Sequence, residues 1–228
     1  MMKTKHLYIH VPFCKSICSY CDYTHRLYDE CIADKWLDRL EKEFIECEDE
    51  EYETIYIGGG TPTSLNIKQL ERLLDLVKPY SSKVVEYTIE VNPENLDEDK
   101  IILFKKYGIN RFSIGLQSSN EQELKLMNRH HNFLDVKNKI NLLRKYNLNN
   151  ISCDIIYSLP NQTMDSLSKT IDDVLSLDLP HLSIYSLTIE PNSVFGKKGF
   201  NHLDDETEAN MYEYIVSKLN DAAMFNMK

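Results

Sequence analysis

Six times along the chain a short run rich in β-branched and aromatic residues gives way to a longer stretch with helical spacing of apolar residues. The runs are "LYIHV" (7–11), "TIYIG" (54–58), "VVEYTIEVN" (84–92), "RFSIGLQ" (111–117), "ISCDIIYS" (151–158) and "HLSIYSLTIE" (181–190). Helical patterns fill 32–46, 67–80, 97–108, 120–129, 133–147, 163–178 and, last, 205–225. Such alternation predicts a parallel sheet with right-handed crossovers. Six units suit a partial (β/α)6 barrel; an open doubly wound sheet is the alternative.

Side chains alternate across a strand with period two. In the first run Leu7, Ile9 and Val11 share one face, with Tyr8 and His10 on the other. In the third, Val85, Tyr87, Ile89 and Val91 oppose Glu86, Thr88, Glu90 and Asn92. In the fourth, Phe112, Ile114 and Leu116 oppose Arg111, Ser113, Gly115 and Gln117. A sheet buried on both faces reads as continuous Val, Ile and Leu. One apolar face, packed by helices, and one polar face instead predict a barrel whose polar lumen holds a large polar ligand. Glu90, Gln117 and Asp154 are expected to share that cavity. The polar and glycine-rich features also gather at strand C-termini, where parallel α/β folds place their sites.

The loop after the first strand carries Cys14, Cys18 and Cys21, spaced C-x3-C-x2-C. Three thiolates can hold three irons of a [4Fe–4S] cubane and leave the fourth iron open to a chelating ligand. Zinc competes, with Asp22 or His25 as the fourth donor, although no second CxxC pair is present. Cys31, Cys47 and Cys153, at a helix start, a helix end and the outward face of the fifth strand, read as packing or free thiols.

C-x3-C-x2-C after a first strand, with Tyr20 just before the third cysteine, resembles the signature of the radical S-adenosylmethionine (SAM) enzymes. There the open iron is chelated by the amino and carboxylate groups of SAM, and an electron from the reduced cluster cleaves SAM to a 5′-deoxyadenosyl radical. "IGGGTPT" is similar to that superfamily's glycine-rich strand end. A narrower resemblance runs through "YIHVPFC", "GGGTPT", "IEVNPE", "RFSIGLQS", "NRHH", "DIIYSLPNQT" and "HLSIYSLTIEPNSVF", which follow the order of the oxygen-independent coproporphyrinogen III oxidases and their relatives, the HemW heme chaperones. It implies SAM contacts at Tyr8, Tyr20, Gly59, Gly60, Thr61, Glu90, Gln117, Arg129, Asp154 and Thr188. Glu90, Gln117 and Asp154 suit ribose hydroxyls or an ammonium group, and Arg129 a carboxylate.

The chaperone branch is the closer of the two. The oxidases carry a further cysteine two positions after the third ligand, where this chain has Tyr23, and an NREQ-like segment where it has "NRHH". Ser158 departs from the family's usual glycine. The resemblance implies heme or porphyrin as a partner and an electron donor for the cluster. His10 and the pair His130 and His131 are candidate heme ligands, although a pair just after a helix is expected to be solvated; His6, His25, His181 and His202 carry no assigned role. Family members continue into a C-terminal domain with an HNxxYW motif tied to heme handling. Residues 1–228 are therefore expected to be the radical SAM core alone, with weak heme affinity.

Composition sets the remaining bounds. A net charge of −10 without a basic stripe argues against nucleic acid. No apolar run reaches membrane-spanning length and the N-terminus lacks a signal-peptide pattern, so a cytoplasmic location with reduced thiols is expected. The acidic run at 46–53 reads as a solvated helix end and loop.

Overall fold

The computed structural model describes residues 5–46, 51–222 and 224. Eight strands run in chain order: β1 (His6–Val11), β2 (Phe13–Cys14), β3 (Arg26–Leu27), β4 (Thr54–Gly59), β5 (Glu86–Val91), β6 (Arg111–Gln117), β7 (Ile151–Tyr157) and β8 (His181–Ser186). The helices are α1 (Glu30–Glu46), α2 (Ile67–Val77), α3 (Glu98–Lys106), α4 (Glu121–Leu126), α5 (Phe133–Lys145), α6 (Met164–Leu175), α7 (Val194–Lys197) and α8 (Asp205–Asp221). Six strands form one parallel sheet in the order β1-β4-β5-β6-β7-β8, and β2 pairs with β3. Each new strand joins the same growing edge. A doubly wound sheet reverses its strand order at a switch point; this one does not, so the partial (β/α)6 barrel is the right class.

The chain divides into two compact units. The first comprises Met1–Ile17, Tyr23–Ser113 and Lys139–Asn150. Its core is the outward face of β1, β4 and β5 under α2 and α3: Ile9, Ile57, Ile89, Leu73, Leu74 and Phe104 are all nearly or wholly buried. Asn66 starts α2 with a capping box to Gln69, satisfying two of the donors a helix start leaves open. The second unit comprises Cys18–Asp22, Ile114–Asn138 and Ile151–Lys228. There Leu124, Met127, Ile156, Leu159, Leu187 and Phe195 form one buried cluster. Thr163 begins α6 with a second capping box.

The structure trims several expected elements. The helix over 67–80 stops at Val77 and tightens into a 3-10 turn at Lys78–Tyr80, where Pro79 cannot continue the hydrogen-bond ladder. The strand expected from residue 84 begins at Glu86, and Val85 is 75% exposed rather than buried. The strand over 181–190 ends at Ser186, leaving Thr188 beyond it. The helix over 205–225 ends at Asp221; residues 223 and 225–228 lie outside the described residues, as does Cys47, so its expected place at a helix end stands unaddressed. The acidic run is solvated at Glu51 and Glu53 but buries Tyr52, and Glu53 pairs with Lys5 at 2.6 Å. The short α7, capped by Ser193, was not among the expected elements.

The largest change is at 120–129. Helix α4 closes at Leu126, Asn128 takes a left-handed φ of 59°, and Arg129 N–H returns to the carbonyl of Leu124 at 2.8 Å. With Asn128 N–H on Lys125 O, this is a Schellman ending. Arg129 thus leaves the helix and turns inward. Ser158, where glycine is usual, also has a positive φ of 61° and is fully buried. Its hydroxyl donates to Glu208 Oε2 at 3.1 Å, and Ser186 donates to Oε1 of the same carboxylate at 2.6 Å. That clamp from α8 offsets the strain a serine meets there.

Ile89→Ala should lower unfolding stability by about 2–5 kcal/mol, the usual cost of emptying a closed core site. Val85→Ala should stay within about 0.5 kcal/mol, as at an ordinary surface position. Urea denaturation followed by circular dichroism measures both; a comparable loss for Val85→Ala would place that residue in the core after all.

Candidate functional site

In the first unit the site grows from the end of β1. After Val11 the chain passes through Pro12 into β2, which Phe13 anchors by packing edge-on against Tyr28 and Trp36. Tyr28 N–H bonds the carbonyl of Cys14 at 2.8 Å and Arg26 N–H that of Pro12 at 2.9 Å. Cys14 is buried. The glycine-rich loop after β4 is stitched onto this segment: Gly60 N–H bonds Val11 O at 2.8 Å and Ser64 Oγ bonds Phe13 O at 3.0 Å. Two glycines are required. Gly59 has φ of 112°, and a Cβ there would meet His10 Nδ1 at 2.7 Å. A Cβ on Gly60 would lie 2.9 Å from Cys14 Sγ.

Glu90, near the end of β5, is held by both oxygens. Tyr56 OH donates to Oε1 at 2.8 Å and Gly59 N–H to Oε2 at 3.1 Å. Tyr56 also stacks beneath Tyr8, ring centroids 5.9 Å apart, and Tyr8 is 57% exposed. Partial burial, with Glu90 and Tyr23 nearby, raises the Tyr8 phenol above its ordinary pKa. His10 Nε2 meets Thr24 O at 2.8 Å. The first unit thus joins Cys14, Gly59, Gly60, Thr61 and Glu90, with Tyr8 linked through Tyr56. Tyr56 was not among the expected residues. Period-two alternation was its signal: it shares a face with Gly58 and stands in register with Thr88, two residues before Glu90.

In the second unit the segment Cys18–Asp22 is pinned by its backbone: Ser19 N–H bonds Met127 O and Phe195 N–H bonds Ser19 O, both at 2.9 Å. Tyr20 packs against the buried cluster of Leu124, Met127 and Phe195. Burial, and after it the neighbouring Cys18, pushes its phenol well above the usual value. Arg129, expected as a pairing cation, is buried. Nη2 donates to Gly115 O at 2.6 Å and Nη1 to Cys18 Sγ at 3.5 Å. Gln117 ends β6, buried, with a left-handed φ of 69°, a conformation that costs a non-glycine residue about 1–3 kcal/mol. Asp154 is half-buried on β7 opposite Ser183, and Thr188 is exposed. Cys18, Tyr20 and Arg129 come together; Thr188 stands at the unit's surface.

His131 departs from the solvated helix-end pair expected of it. It is 6% exposed and its Nε2 meets Leu116 O at 3.1 Å, while His130 is exposed. At this depth the ring offers little surface to a ligand as large as heme. Cys153 is buried, which pushes its thiol up, and Cys31 is exposed on α1, in keeping with packing and free-thiol roles.

Residues 8–174 match the radical SAM superfamily. The chain belongs to that superfamily. Among curated relatives, the radical SAM chain is 40% identical to the heme chaperone HemW of Bacillus subtilis (strain 168), over 94% of its own length and 60% of the relative's. The HemW of Lactococcus lactis is 38% identical (96% and 59%), and that of Escherichia coli (strain K12) 34% (91% and 57%). The chain therefore spans about 60% of the length of the first of these relatives. Among solved structures, coproporphyrinogen III oxidase (HemN) from Escherichia coli, described as a radical SAM enzyme, superposes with a TM-score of 0.88 at 26% identity, covering 96% of this chain and 53% of that one.

The superfamily implies a [4Fe–4S] cluster and SAM. The residues fit the cluster: Cys14, Cys18 and Cys21 form no disulfide, and Gly60 has no Cβ to crowd Cys14 Sγ. Among the described residues no three His, Cys, Asp or Glu side chains form a group that could hold a single ion. In a cubane each of three thiolates takes a different iron. When bound, the cluster supplies one electron and an open iron. Among the described residues no helix is long and apolar enough to cross a membrane.

Anaerobic reconstitution with iron and sulfide should load about four irons per chain. Alanine at Cys14, Cys18 or Cys21 should abolish uptake, and Gly60→Ala should reduce it by displacing the first ligand. Cys31→Ala should load fully. Iron and acid-labile sulfide analysis reads all five; full loading of Gly60→Ala would show that the contact with Cys14 is not structural.

Proposed function

We propose that residues 1–228 form the cluster- and SAM-binding core of a HemW-type heme chaperone, in which cluster and SAM serve heme transfer or its regulation. The observation that carries this reading is the identity of 34–40% to three HemW proteins over at least 91% of the chain. Tyr23 supports it: the position where the oxidases place another cysteine holds a side chain with no thiol, 79% exposed. Cys14, Cys18 and Cys21 ligate three irons, and SAM chelates the fourth. Glu90, Gln117 and Asp154 accept from its hydroxyls and ammonium group, Arg129 faces its carboxylate, and Tyr8, Tyr20, Gly59, Gly60, Thr61 and Thr188 complete its surroundings. Oxidation of coproporphyrinogen III is the second reading, favoured by the superposition on HemN.

Three measurements test the reading. SAM should bind the reconstituted protein and not the cluster-free form, with Asp154→Ala weakening binding by about 1–3 kcal/mol; equal affinity with and without the cluster refutes chelation. Supplied anaerobically with SAM, a reductant and coproporphyrinogen III, the protein should yield no decarboxylated product, and turnover would make it an oxidase. In heme titrations His131→Gln should leave the heme spectrum unchanged, since the native ring is almost wholly buried. A lost Soret shift in that variant would restore His131 as the ligand.

A further inference from the structure

Thr61 stands at the N-cap of the 3-10 turn Pro62–Ser64 but makes no capping hydrogen bond with its side chain. A threonine in that position ordinarily accepts from an N–H two or three residues on. Here the hydroxyl donates instead to Cys14 Sγ at 3.6 Å, a reach that suits the larger radius of sulfur. Thr61 is 7% exposed, so the contact is made out of water, where hydrogen bonds are electrostatically stronger. In the second unit Arg129 Nη1 donates to Cys18 Sγ, and its other nitrogen is locked on Gly115 O. The family resemblance places both residues among SAM contacts and gives neither a role toward the metal.

We propose that Thr61 and Arg129 set the reduction potential of the cluster by hydrogen-bonding two of its thiolate ligands. The inference rests on the cluster reading above. Reduction is a one-electron step: an electron from a low-potential donor enters the cluster, no bond breaks, and the net charge falls by one. Donors aimed at the ligand sulfurs draw electron density from them and stabilise that added charge, raising the potential. Arg129 brings a full positive charge as well and so has the larger effect.

The test is a redox titration of the reconstituted protein without SAM, reduced by dithionite and read by electron paramagnetic resonance of the reduced cluster. Thr61→Val keeps the shape and removes the donor. It should shift the reduction equilibrium toward the oxidised form by up to about tenfold, or about 59 mV for one electron. Thr61→Ser should restore the parent value, and Arg129→Met should fall further than Thr61→Val. If Thr61→Val assembles an incomplete cluster, Thr61→Ala removes the same hydroxyl and is titrated in its place. A fully loaded Val or Ala variant with the parent potential would overturn the proposal, as would a serine variant that behaves like valine. A parent protein that assembles no cluster would overturn both this inference and the cofactor reading, and iron analysis separates the two failures.

Discussion

The hydrogen bond from Gly60 N–H to the carbonyl of Val11 ties the end of β4 to the end of β1, and the first unit's chemistry is arranged around it. The bond brings two backbones so close that position 60 has no room for a Cβ, and it seats the sulfur of Cys14 against that gap. The next residues extend the same seam, with Thr61 on Cys14 and Ser64 on Phe13. One residue earlier, Gly59 uses its N–H for Glu90 and its bare Cα for His10. Backbone amides aimed at a ligand or its anchor need no reorganisation when the ligand arrives, which suits a cofactor that must be held in one pose.

The second unit reaches a similar end through a helix terminus. Asn128 tolerates the left-handed region better than most residues and ends α4 early. Had the helix run to residue 129, the guanidinium would project from its surface. The Schellman ending instead delivers Arg129 into the protein, where Gly115 O holds one arm and leaves the other for Cys18. Burying a guanidinium is costly unless it finds partners, and here Gly115 O and the sulfur of Cys18 supply them.

Much of this is legible in the sequence alone. The alternating units, the apolar faces that carry Ile9, Ile89 and Ile114, and the clustering of features at strand ends all follow from local periodicity, which short-range geometry imposes directly. The glycine loop and the cysteine spacing were legible as motifs. Alternation puts Tyr56 on the face of Gly58, but what ties that face to Glu90 is the register with β5, a long-range property. Thr188 sat inside an expected strand and proved to lie beyond its end, because the ladder to β7 stops at Ser186. His131 was read as solvated from its place after a helix, and the turn that buries it depends on the same Asn128 that redirects Arg129.

The sequence by itself determined the superfamily, the sheet with its sidedness, and the three thiols, because period-two and helical patterns and close cysteine spacings are properties of neighbouring residues. Tertiary structure alone decided that the strand order is singly wound, that Glu90 is gripped by Tyr56 and Gly59, and that the hydroxyl of Thr61 serves a sulfur rather than its own helical turn. Each of these depends on groups dozens of residues apart meeting within about 3–4 Å, the range of a hydrogen bond to oxygen or sulfur. Such meetings are fixed by crossover handedness, register and loop closure, which no local pattern encodes.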